Sequence, residues 1–101
     1  MGDAAGDGTE RFLGLLRSQH EFPGSYTFKI IYRNEPALGD AIVEAVCSST
    51  GLTRPSRPPD LLASSTARFV AMDLELHMQD ATEVLAVYRV LSTLRSIISY
   101  F

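Results

Sequence analysis

Tyr26, Phe28, Ile30 and Tyr32 alternate with Thr27, Lys29 and Ile31, the period-two spacing that puts successive side chains on opposite faces of a strand. The same spacing returns later in the chain, where Val70, Met72, Leu74, Leu76 and Met78 alternate with Ala71, Asp73, Glu75 and His77. The second run predicts a strand with one face in a core and the other in water. Between the two, the spacing changes to that of a helix, with Leu38, Ile42, Ala45 and Val46 on one side. This helix is expected to start beside Pro36, with Asn34 or Glu35 near its cap, and to stop at Gly51. After Met78 the spacing changes again. Asp80 and Glu83 have the acceptor-then-acid separation of a capping box, and Val84, Val87, Tyr88, Leu91 and Leu94 form the apolar stripe of a second helix.

The weaker segments complete the pattern. Phe12, Leu13, Leu15 and Leu16 suggest a short helix over 10–22, weakened by Gly14 and ended by Pro23 and Gly24. Residues 1–9 carry three glycines and no bulky side chain beyond Met1, and are expected to form a mobile tail. Pro55, Pro58 and Pro59 remove three amide donors from the 52–60 stretch, which predicts an exposed loop. A strand within 61–69, turning near Ala67 and Arg68, then leads to the third strand, and β-branched and aromatic residues over 96–101 predict a last one. The order strand, helix, strand, strand, helix, strand is the split β-α-β plan, a ferredoxin-like α+β sandwich: a four-stranded antiparallel sheet with two helices on one face, plus the N-terminal helix. It is expected as one domain over 10–101. In this plan the first and third strands are central neighbours, so Lys29 can face Asp73 or Glu75 across the open side of the sheet.

Composition narrows the function more than the fold. A chain of 101 residues, 46% hydrophobic, suits one core that buries roughly two thirds of its unfolded surface without a metal or disulfide. The net charge of -3 argues against a phosphate-backbone binder, and no nucleic-acid partner is expected. The acidic start, with Asp3, Asp7 and Glu10, is unlike a signal peptide, and no apolar run approaches the ~20 residues of a membrane span. A single cysteine, Cys47, fits a reduced compartment. A cytoplasmic location without membrane attachment is expected.

Few residues suggest chemistry. His20 and His77 lack a second ligand at metal spacing, although His77 shares an alternating polar face with Asp73 and Glu75. Cys47 has no basic neighbour to favour a thiolate, and no serine stands in a nucleophile elbow. No catalytic residue, metal or cofactor is expected, and the chain reads as no enzyme. Arg33 and Asn34, just after the first strand, admit a remote alternative, an acyl-phosphate hydrolase in which an arginine and an asparagine orient an anion and a water. Arg54 and Arg57 form the local basic cluster of the proline loop. That loop reads first as a stiff solvated connection and second as a contact for an acidic partner or a proline-recognising groove.

Glu21-Phe22-Pro23 leading into Tyr26-Thr27-Phe28-Lys29-Ile30-Ile31 resembles the opening of the YbeD-like bacterial domains of unknown function. The serine-rich approach Ser64-Ser65-Thr66-Ala67-Arg68-Phe69 to the third strand and the segment Ala86-Val87-Tyr88-Arg89-Val90-Leu91 are similar to the same family, so the likeness runs from about Phe12 to Phe101. The resemblance implies a fold similar to ACT-type regulatory domains, which pair sheets or edges and bind small effectors or proteins, and it brings no catalytic residues. The expected role is therefore a regulatory or protein-interaction domain that associates with itself or with a protein partner. The alternative is a sensor of an amino acid or metabolite held near Arg33 and Asn34 or at a dimer interface.

Overall fold

In the computed structural model, residues 4–63 and 66–101 are described. Three helices and four strands follow one another there as α1 (Ala4–Gln19), β1 (Gly24–Arg33), α2 (Leu38–Thr50), β2 (Asp60–Leu62), β3 (Phe69–Met78), α3 (Ala81–Thr93) and β4 (Ile97–Tyr100). The strands pair antiparallel in the order β2-β3-β1-β4, so the ferredoxin-like α+β arrangement holds. The central pair runs in register from Gly24 opposite Met78 to Arg33 opposite Phe69. Its alternation sends Phe28, Ile30, Tyr32, Met72, Leu74, Leu76 and Met78 into the core, where Ile42, Val46, Val84, Val87 and Leu91 of the helices meet them. The opposite face carries Thr27, Lys29 and Ile31 beside Glu75, Asp73 and Ala71, and Lys29 Nζ stands 3.4 Å from Asp73 Oδ1, as the alternation required.

Element boundaries moved where tertiary contacts compete with local signals. α2 starts at Leu38 rather than beside Asn34, because Asn34 is used elsewhere. Its N–H donates to the Arg68 carbonyl at 2.8 Å and its side-chain Nδ2 donates to the Ala67 carbonyl at 3.0 Å, which extends the sheet by one residue. The chain then turns through Ala37 in the left-handed region (φ 66°), and α2 has no side-chain cap at this end. At its other end Gly51 (φ 76°) supplies the expected stop, its N–H donating to the Cys47 carbonyl. α1 begins at Ala4, so it runs into the stretch expected as a tail. Extending a helix already anchored by packing costs little per residue once its nucleus exists. Residues 1–3 of that stretch, and Ser64 and Ser65 of the approach to β3, lie outside the described residues. β2 is shorter than the expected 61–69 strand, and residues 51–59 have no regular structure, as the prolines predicted.

α1 packs on α3 through Leu13 and Leu16, both buried, while Leu15 points to water. Phe12 meets Tyr88 edge-on at 6.0 Å. A bidentate ion pair joins the two helices outside the core: Arg17 Nε donates to Asp80 Oδ1 at 3.2 Å, and Nη2 to Oδ2 at 2.8 Å. Asp80 is also the N-cap of α3, accepting from the Thr82 N–H, while Glu83 reaches back to accept from the Gln79 N–H at 2.6 Å. The two residues read from the sequence as a capping box thus both cap α3, each accepting from an N–H one residue before the one the box would use. The guanidinium of Arg17, followed by the Thr82 N–H, holds the Asp80 carboxyl well below the usual carboxylate range. A carboxyl depressed in the folded state adds stability above its unfolded value, about 3.9, and loses it as pH falls towards the folded value. The urea midpoint is therefore expected to fall below about pH 4, and Arg17→Gln is expected to flatten that fall. Equal slopes for the two proteins would refute the assignment.

Candidate functional site

The end of the sheet where β1 runs out and β3 begins brings together residues that are 35 positions apart. Arg33 pairs with Phe69 in the central ladder, and the two hydrogen bonds of Asn34 clamp the 67–68 backbone against this end of β1. Arg33, Asn34, Glu35, Arg68 and Phe69 line a cavity of about 380 Å³. That is near the lower end of the size range of small-molecule sites. The two arginines supply ten N–H donors in rigid planar forks, a geometry matched to carboxylate or phosphate oxygens. Among the described residues neither Arg33 nor Arg68 has an ion-pair partner. Phe69 exposes 47% of its surface beside them.

The sequence pointed to Arg33 and Asn34, and the structure places both on this cavity in different roles. Arg33 lines it without an ion-pair partner among the described residues, whereas Asn34 donates one side-chain N–H to the Ala67 carbonyl and so fixes the 67–68 backbone. Arg68 and Phe69 were read only as turn and strand entry, because their proximity to Arg33 follows from strand pairing and leaves no mark in the local pattern.

Arg54 and Arg57 are elsewhere. Arg54 pairs with Glu44 of α2, and Arg57 Nη2 lies 3.3 Å from Glu75 Oε1 on the open face of the sheet. The proline loop thus wraps around the β2–β3 edge and is tied down on both sides of it. All four side chains remain exposed, so each pair contributes at most about 1 kcal/mol. Asp73 and Glu75 are engaged by Lys29 and Arg57, and His77 stands exposed further along the strand. Cys47 is buried, and burial raises its thiol pKa, which keeps it in the less reactive protonated form.

The open face has a second feature. Leu62, Ala71, Ile31 and Ser99 form one row across all four strands. Phe69 lies at one end of the face, and Phe101 stands beside Lys29, with which it exchanges two backbone hydrogen bonds of 2.7 and 2.9 Å. Leu62 is 78% exposed and Phe101 60%. Among the described residues no helix is long and apolar enough to cross a membrane. A family model described as "Protein of unknown function (DUF493)" matches residues 17–100, most of the span over which the strand-entry segments resemble the YbeD-like domains. No curated protein matches the chain.

Proposed function

Since the chain belongs to the DUF493 family, a family that brings a domain without an assigned reaction, we propose from its geometry a non-enzymatic role in which it works by association, through the open face of its sheet, with a second copy of itself. The observation that carries this reading is the apolar row of exposed Leu62 and half-buried Ala71 and Ile31, flanked by exposed Phe69 and Phe101, on a face that no helix covers among the described residues. A two-fold axis brings such a row against its own image. The charges beside it favour the same occupant. Lys29 with Asp73 and Arg57 with Glu75 are neutralised within the face, so beside the apolar row two copies meet without a strong repelling field.

The size of the face sets the strength. Four strands about 4.8 Å apart and roughly 30 Å long, with short edges, offer about 500 Å² per partner. Stable complexes need about 800 Å² on each side, so the association is weak and concentration-dependent. Sedimentation velocity over a wide concentration range is expected to show a monomer–dimer equilibrium. Leu62→Lys, at a position too exposed to affect folding, is expected to weaken it roughly 10- to 100-fold, the loss for removing one leucine from an interface. A wild-type chain that stays monomeric throughout, or a variant that associates equally well, would remove the basis for this reading.

One observation favours a second reading, sensing of a small molecule: the cavity lined by Arg33 and Asn34, which lies where such a ligand was expected.

A further inference from the structure

Two guanidinium groups held at one end of a sheet repel each other unless an anion lies between them. Arg33 ends β1 and Arg68 precedes β3, and the Asn34 clamp to Ala67 and Arg68 leaves their backbones no freedom to drift apart. Among the described residues Arg17 pairs with Asp80, Lys29 with Asp73, Arg54 with Glu44 and Arg57 with Glu75, whereas Arg11, Arg89 and Arg95 stand singly without an acid. Arg33 and Arg68 also lack an ion-pair partner among the described residues, and these two line one cavity together with Glu35. The ring of Phe69 borders this charge with nearly half its surface in water. An apolar ring next to two unpaired cations suits a ligand with both an anionic head and a flat apolar body.

We propose that this cleft binds a small organic anion, a carboxylate or phosphate monoester that carries an aromatic ring, with its oxygens bridging Arg33 and Arg68 and its ring against Phe69. The ligand class rests on the reading of the cavity as a small-molecule site and adds the chemistry of what enters it. Arg33 supplies one planar fork from the end of β1, and Arg68 supplies the other from the turn that precedes β3. Asn34 positions both through its bonds to the 67–68 backbone. Glu35 lines the same cavity, and its carboxylate repels an anion in proportion to that anion's charge. A stacked ring adds roughly 2- to 10-fold in affinity over the same head group without one.

The full-length ¹⁵N-labelled chain, titrated at constant ionic strength with acetate, benzoate, inorganic phosphate and phenyl phosphate, tests both parts. Amide shifts are expected to concentrate at Arg33, Asn34, Arg68 and Phe69, with benzoate tighter than acetate and phenyl phosphate tighter than phosphate. The double variant Arg33→Ala/Arg68→Ala is expected to lose binding of all four probes. Phe69→Leu is expected to keep the head-group binding and lose the preference for the ring. All three positions are exposed, and retention of the native amide spectrum in each variant confirms folding. Shifts absent from this cleft with every probe, or confined to Arg54 and Arg57, would overturn the site together with its ligand class. Equal affinities with and without the ring would overturn the ligand class alone.

Discussion

Replacing Phe28 by alanine is expected to lower the unfolding free energy by about 3–5 kcal/mol, enough to leave a domain of ordinary stability largely unfolded near its upper working temperature. Phe28 is fully buried in the central strand. Its ring lies 4.9 Å from that of Tyr26 and 5.1 Å edge-on from that of Tyr88. Losing it therefore removes a large transfer contribution, leaves a cavity, and strips two aromatic partners at once. One of those partners sits in a polar contact of its own, since the Tyr26 and Tyr88 hydroxyls are 3.1 Å apart. Burial, with the bond to Tyr26, keeps the Tyr88 hydroxyl protonated far above neutral pH. Phe28→Leu keeps most of the volume and is expected to cost about 1–2 kcal/mol. Urea denaturation followed by circular dichroism distinguishes the two. A loss below about 1 kcal/mol for the alanine variant would mean that the aromatic cluster does not anchor the core.

Leu16→Asp is expected to release α1 while the sheet and the other helices stay folded. Leu13 and Leu16 are the buried side chains through which α1 rests on α3, and a carboxylate cannot be accommodated between them. Removing one buried leucine costs about 3 kcal/mol, which raises the population of the undocked helix about a hundredfold. The expected result is trypsin cleavage at Arg11 and Arg17 that is faster by that factor, with amide protection in β1 and β3 unchanged. Simultaneous loss of protection in β3 would show that α1 belongs to the same cooperative unit as the sheet. The distinction bears on function, since the open face and the Arg33–Arg68 cleft belong to the sheet alone, and a released α1 leaves both intact.

Much of the fold was legible because its signals are short-range. The alternation through Tyr26–Tyr32 and Val70–Met78 follows from the geometry of a strand and held residue by residue in the burial of both. Asp80 and Glu83 lie within one turn of each other, so their capping role could be read where it stood. The start of α2 could not. Asn34 is as good a helix cap as it is a strand-end donor, and the carbonyls that recruit it, on Ala67 and Arg68, come from more than thirty residues away. The candidate site divides in the same manner: Arg33 and Asn34 were visible, but Arg68 and Phe69 join them only through pairing.

The order of hydrophobic and polar residues was sufficient to specify the strands, the amphipathic helices and the side of each that faces inward, because those depend on torsions and on neighbours within a few positions. Which cation meets which acid, which two arginines come to share a cavity, and which apolar side chains line up across the bare face depend on register. Register is settled when a whole sheet closes over a shared core, and only then do Arg33 and Arg68 line one cavity.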